Sequence, residues 1–262
     1  MGAPKLIARG SAKLIAFERG GNHGESGCRY GLDEQHREGD RGSAGARRIP
    51  RGRNLAAWEE ARQVAAGLPR KGSAFALDFG DAGAIERLFG FVTRELGGVD
   101  ALVNNVAYTK NESILACDLE TWTRTIDTNL RSYFLCTKLA AESMRTRGGG
   151  AIVNITVSST RGSKEKFSYM VSKGGINYMT MCAAVDLAPF GIRVNAVGSG
   201  LVGTPVGSRD MTNRPHTNAR VPIGHVGEPN DVAEAVAYLV SSRAKYVVGA
   251  MVPVDGGLDA SV

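Results

Sequence analysis

Tyr169-Met170-Val171-Ser172-Lys173, followed by Gly174-Gly175, is the stretch on which the reading of this 262-residue chain turns. It lies in a segment of helical character. Residues four apart on a helix stand one above the other on one face, so the phenol and the ammonium point into one pocket. A phenol with a reference pKa near ~10 is a poor proton carrier at neutral pH. A cation held beside it favours the phenolate and brings that proton within reach. Tyr and Lys also meet at this spacing by chance, so the pair gains meaning only from its surroundings.

From Asn54 onward those surroundings alternate helix and strand. Residues 54–67, 82–96, 119–146, 168–188 and 230–241 carry apolar residues at helical spacing. Between them lie short apolar runs at 74–77, 100–106, 151–156, 193–197 and 250–254. Continuous apolar strands alternating with helices indicate a parallel sheet covered on both faces. Residues 25–53 break the pattern. They are rich in Gly and Arg, contain no Lys, and offer neither the helix nor the second buried strand that a doubly wound domain needs there. A disordered arm, a divergent segment and a stretch read out of frame all fit that text.

Composition narrows the class. The net charge of +6 is concentrated, since residues 1–53 hold two Lys and nine Arg against six acids. Tyr30 is the only aromatic between 25 and 53, which argues against a nucleic-acid arm, where aromatics interleave with basic residues. No apolar run reaches the roughly 18–20 residues of a membrane span. Lys5, Arg9, Lys13 and Glu18 interrupt any secretory core. Cys28, Cys117, Cys136 and Cys182 are widely spaced and read as reduced thiols of a cytoplasmic protein, with no metal site expected.

Further motifs join the Tyr–Lys pair: Asn104-Asn105-Val106-Ala107 at a strand end, Asn129 in a long helix, and Asn195-Ala196-Val197-Gly198-Ser199-Gly200. Thr204-Pro205, Gly227-Glu228-Pro229 and Val254-Asp255-Gly256-Gly257 follow. In this order and spacing the chain resembles the short-chain dehydrogenase/reductase family, in particular its 3-oxoacyl-carrier-protein reductase and sugar-alcohol dehydrogenase branch. The resemblance runs from about Asn54 to the C-terminus. It implies one doubly wound Rossmann-type α/β domain over 1–262 with a parallel sheet, its N-terminal βαβ portion degraded. It also implies hydride transfer between a nicotinamide cofactor and a ketone or secondary alcohol.

Residue by residue, the resemblance makes Tyr169 the general acid/base and Lys173 the group that lowers its pKa and bonds the nicotinamide ribose. Asn129 would hold a water behind Lys173. Asp78 would meet the adenine, Asn105 would support the cofactor from its strand end, and Thr204 with the backbone near Leu201–Val202 would contact the carboxamide. Taken singly, Asp78 is also readable as a helix cap and Asn104 and Asn105 as ties between strands.

Two departures stand out. The family places a serine 13 positions before the tyrosine; here that count gives Thr156, strand alignment gives Val157, and Ser158 lies one further on. Ser158, Thr156 or no donor at all remain open, with Ser158 preferred. The family also opens with Thr-Gly-x-x-x-Gly-x-Gly after its first strand, whose glycines admit the pyrophosphate. Lys13–Phe17 is the corresponding strand here, and Gly20 and Gly24 have the right separation, but Gly27 comes one residue late.

Arg51 and Arg53 stand near the expected end of the second strand and favour NADP over NAD, because arginine pairs a 2′-phosphate. The loop 203–222, with Arg209, Arg214, His216 and Arg220, corresponds to the segment that covers substrate and suits a polar carbonyl or alcohol. Helices 119–146 and 168–188 resemble those that pair subunits, so a homotetramer or dimer is expected. The competing reading is a catalytically impaired relative that serves as a binding or oligomerisation module.

Overall fold

The computed structural model describes residues 14–18, 27–30, 32–35, 72–158, 162–203 and 218–261. Their strands are β1 (Leu14–Glu18), β2 (Gly27–Tyr30), β3 (Leu32–Gln35), β4 (Gly72–Ala76) and β5 (Ala101–Asn104). Then follow β6 (Val106–Thr109), β7 (Gly150–Val157), β8 (Ile192–Ser199) and β9 (Met251–Val254). The helices are α1 (Ala82–Leu96), α2 (Leu119–Ile126), α3 (Ser132–Thr146), α4 (Phe167–Leu187) and α5 (Pro229–Val240). A seven-stranded sheet runs β4-β1-β2-β5-β7-β8-β9, and β3 pairs with β6 apart from it. This is the Rossmann-like α/β architecture that the alternation predicts.

Both faces of the sheet are covered, which is why its strands read as unbroken apolar runs. Leu102, Ile152, Ile192 and Val194 face a cluster with Ile85, Leu88 and Val92 of α1 and Ala140 and Met144 of α3. Val103, Val153, Ile155 and Val197 face the opposite cluster, with Val232, Val236 and Leu239 of α5. Helix α1 buries Ala84, Ile85, Leu88, Phe89 and Val92, the i, i+3, i+4 spacing of a one-sided helix, and ends at Gly97 with φ 78°. Helix α5 starts on a reciprocal capping box between Glu228 and Asp231 with Pro229 in its first turn. No helix among the described residues is long and apolar enough to cross a membrane.

The N-terminal strands depart from expectation. The sequence predicts Lys13–Phe17 as the opening strand of a parallel sheet. Instead β1 runs antiparallel between β2 and β4, and β2 takes the parallel position against β5, with Cys28 opposite Leu102. A parallel crossover needs a dozen or more residues. Only residues 19–26 separate β1 from β2, so these two strands can pair only antiparallel.

Residues 25–53, read as holding neither element, contain β2 and β3. Their signal is the two-residue spacing of Cys28, Tyr30 and Leu32, the strand period. The single strand expected over 100–106 is interrupted at Asn105, and β6 leaves to pair in parallel with β3. The predicted helix 54–67 lies outside the described residues.

The long helix expected over 119–146 is continuous but widens into a π turn at Asp127–Arg131. Such turns are rare and cluster at functional sites. Against it lies Gly175 of α4. A Cβ there would stand 2.8 Å from Leu130 Cδ2, so glycine is what lets the two segments come so close.

Candidate functional site

Strands β5, β7 and β8 are parallel neighbours, and their C-terminal ends bring together Asn104, Thr156 and Ser199. In open parallel sheets, ligands bind in the crevice beyond these ends. Helix α4 carries Tyr169, half-buried, and Lys173, 3% exposed, along this rim. Lys173 Nζ donates to the carbonyl of Ile155 at 2.9 Å. The same ammonium lies 5.8 Å from the Tyr169 ring centroid and 5.4 Å from that of Tyr133. Tyr133 in turn donates its hydroxyl to the Ile155 carbonyl at 3.1 Å. Two phenol rings and one carbonyl thus surround a desolvated cation.

Asn129 is fully buried in the π turn. Its Oδ1 accepts from Tyr108 N at 2.6 Å, and its Nδ2 donates to Tyr108 O and to Ser172 Oγ, each at 2.9 Å. Ser172 passes the link on by donating to Tyr169 O at 2.7 Å. The amide therefore clasps β6, the π turn and α4 together. Both of its donors are used, which leaves one Oδ1 lone pair to meet a water. Asn104 serves the sheet: it donates to Asn154 at 2.9 Å, and Asn154 donates to Thr180 of α4 at 2.9 Å.

The three positions considered for the missing serine separate clearly. Thr156 Oγ1 donates to the backbone carbonyl of Lys173 at 3.2 Å. Val157 carries no hydroxyl. Ser158 is 3% exposed, and its hydroxyl lies near the carboxylate of Asp255. Burial alone would raise the Asp255 pKa, but donors from Asp259 N, Gly257 N, Ser158 and Leu258 N outweigh it and hold the carboxyl below its usual range.

Asp78 is exposed just beyond β4 and accepts from Gly80 N at 2.8 Å. It is not a helix cap, because α1 begins after Asp81. Asn105 is half-buried in the gap between β5 and β6. Val202 forms a parallel bridge with Gly227, which ties the chain after β8 to the start of α5. Gly20, Gly24, Arg51, Arg53 and Thr204 lie outside the described residues, as do Arg209, Arg214 and His216 of the polar loop; Arg220 is described and exposed.

Sequence reasoning missed three residues of this neighbourhood. Tyr133 carries a signal, since it stands four positions after Asn129 on one helix. Ser168 directly precedes Tyr169. Glu112, a carboxylate 4% exposed in the 110–118 segment, has no signal in a single sequence.

Known proteins resemble the chain over this frame. Residues 43–259 match the model of the family described as enoyl-(acyl carrier protein) reductase. An L-rhamnose 1-dehydrogenase (NAD(P)(+)) of Azotobacter vinelandii is 35% identical over 186 residues, covering 69% of this chain and 73% of its own. A 3-oxoacyl-[acyl-carrier-protein] reductase of Thermotoga maritima is 33% identical over 196 residues, covering 74% and 80%. The solved structure of Thermoplasma acidophilum aldohexose dehydrogenase superposes with TM-score 0.67 at 29% identity, over 72% of this chain and 78% of that one.

Proposed function

Because the chain belongs to the short-chain dehydrogenase/reductase family, whose members are oxidoreductases using nicotinamide nucleotides, we propose that it interconverts a polar ketone and its secondary alcohol with NADP. The observation that carries this reading is the buried Lys173 beside Tyr169. Desolvating an ammonium costs several kcal/mol unless it is compensated, and packing alone would be served by an uncharged side chain. A cation at this position stabilises the phenolate relative to the phenol, which is what a tyrosine proton donor requires.

A bound nicotinamide nucleotide supplies or accepts the hydride. Tyr169, Lys173, Asn105 and the backbone of Leu201–Val202 suit its nicotinamide end, and Asn105 and Leu201–Val202 lie just past the C-terminal ends of β5 and β8. Tyr169 gives its phenol proton to the carbonyl oxygen in reduction and takes it back in oxidation. Lys173 holds the phenolate and offers its ammonium to the ribose. Asn129 holds the water through which the phenol regains its proton, by the remaining lone pair of its Oδ1. Ser158 is the second contact to the substrate oxygen.

Asp78 is assigned to the adenine, and Gly20, Gly24, Arg53 and Thr204 to the phosphates, the 2′-phosphate and the carboxamide. These assignments rest on the family resemblance. The chain is further proposed to be cytoplasmic, in keeping with the free thiols of Cys117, Cys136 and Cys182.

Assembly into a dimer or tetramer is part of the same proposal. Tyr178 (73% exposed), Val185 (75%), Phe134 and Phe190 make an apolar surface on α3, α4 and the turn after α4. Phe134 and Phe190 line a groove of about 500 Å³ together with Met179 and Cys182, among others. A patch of this kind on a soluble protein marks an interaction site.

The antiparallel β1–β2 pair favours a second reading, in which the chain keeps its assembly face but has lost the phosphate site. Titration with NADPH and NADH, read by nucleotide fluorescence at low salt, separates the two. Binding in the micromolar range, followed by nucleotide consumption with a panel of polar ketones, is expected. No binding up to millimolar nucleotide refutes the enzyme reading.

A further inference from the structure

Tyr169 is the third residue of α4, inside a first turn whose backbone N–H groups have no partner within the helix. The N-cap residue, Lys166, makes no side-chain cap bond. The donors are met from elsewhere. Phe167 N donates to Glu112 O at 3.2 Å and Ser168 N to Glu112 Oε1 at 3.1 Å. Ser168 Oγ donates to the same Oε1 at 2.6 Å. One residue, 55 to 56 positions earlier in the chain, thus closes the start of the helix that carries the phenol.

The loop around Glu112 is itself fastened to α2 and α4. Lys110 Nζ donates to Thr121 Oγ1 at 2.9 Å, and Asp118 caps α2 through Thr121 N at 2.6 Å. Thr125 Oγ1 lies 3.1 Å from Ser168 Oγ, and Trp122 stacks on Phe167 at 5.8 Å. Lys166 Nζ reaches back to Thr109 and Asn111.

The second carboxylate oxygen of Glu112, Oε2, is buried without a hydrogen-bond partner. Leaving such an oxygen unmet is costly, and a helix start that needed only a cap would be served by a local Ser or Asp without that cost. A long carboxylate reaching in from another segment does something a local cap does not: it fixes the helix start relative to the loop beside the site.

We propose that Glu112 is a positioning residue for Tyr169, holding the first turn of α4 so that the phenol keeps its place against Lys173. The inference rests on the reading of Tyr169 as the proton donor. Helix ends fray first, and a displacement of about 1 Å at a reacting group lowers turnover by up to about 100-fold.

The test uses the full chain with Glu112→Ala, Glu112→Gln and Ser168→Ala. Amide hydrogen exchange at Phe167 and Ser168 is read alongside kcat for ketone reduction and the NADPH dissociation constant. Glu112→Ala is expected to speed exchange at both amides at least about tenfold and lower kcat about 10- to 100-fold, with nucleotide affinity within about twofold. Glu112→Gln keeps the acceptor oxygen and is expected to restore kcat to within about fivefold of the parent. Unchanged exchange and kcat in Glu112→Ala overturn the proposal, as does a Gln variant as impaired as Ala. If Glu112→Ala fails to fold, Ser168→Ala decides: about a threefold or greater fall in kcat supports the proposal and an unchanged kcat overturns it. A parent protein without carbonyl reductase activity counts against the function instead, and the exchange rates still decide whether Glu112 holds the turn.

Discussion

Replacing Asn129 by alanine removes three hydrogen bonds at one fully buried point, and the size of the effect follows from what each bond leaves behind. Tyr108, 5% exposed, loses the acceptor for its N–H and the donor to its carbonyl. Ser172 loses a donor but keeps its own bond to Tyr169 O. A buried backbone group left without a partner costs about 1–3 kcal/mol, and partial relaxation of β6 brings the pair to about 2–4 kcal/mol. Ser172→Ala breaks one of the three bonds and leaves both Tyr108 groups paired, at about 1 kcal/mol. The assay is urea unfolding followed by circular dichroism at one fixed protein concentration, since assembly shifts apparent stability. At roughly 2–4 °C per kcal/mol for a chain of this size, Asn129→Ala also lowers the thermal midpoint by about 4–16 °C. A loss no greater than that of Ser172→Ala refutes the clasp.

Three further perturbations probe the frame. Gly175→Ala drives a methyl against Leu130, a crowding of about 1–3 kcal/mol that exceeds the roughly 1 kcal/mol gained in helix propensity. In a Leu130→Ala background the same change becomes stabilising, and a double-mutant cycle that shows no change of sign contradicts the packing described. Asp255 has a folded-state pKa below its unfolded value of about 3.9, so it contributes stability above that pH and loses it as pH falls through the folded value. Asp255→Asn should therefore flatten the fall in stability between about pH 5 and pH 2; a parallel profile in both proteins goes against it. Val185→Glu sets a charge on the exposed apolar face of α4 and should reduce the mass measured by light scattering to that of a smaller assembly, whereas an unchanged mass places the subunit contact elsewhere.

Most of the frame was legible because both sheet faces are buried. Continuous apolar runs at 100–106, 151–156 and 193–197 admit few readings when helices with one apolar stripe alternate with them. Helix 82–96 could be bounded to the residue, since its apolar spacing stops at Leu96 and Gly97-Gly98 follows. The N-terminal region was not legible in the same way. β1 to β3 are four or five residues long, and their pairing depends on loop length and on neighbours far along the chain. A strand was visible near Lys13–Phe17, but its direction was set by the short connection to β2.

At the site, Tyr169, Lys173 and Asn129 stood out because helical spacing and family order coincide there. The π turn left no trace, because Asp127–Arg131 has ordinary helical composition. Glu112 was invisible for a different reason: its role consists of bonds to residues 55 and 56 positions away. Ser158 shows the limit of counting along a strand, since its hydroxyl lies near Asp255, nearly a hundred residues distant.

The most direct measurement compares Tyr169→Phe with the parent protein, using NADPH consumption with a reducible polar ketone and nucleotide binding on the same preparations. Removing one hydroxyl leaves the ring against Lys173 and the fold around it unchanged. Turnover is expected to fall by at least about 100-fold, the scale of general acid catalysis, with the NADPH dissociation constant within about twofold. Turnover retained by Tyr169→Phe contradicts the reading of Tyr169 as the proton donor.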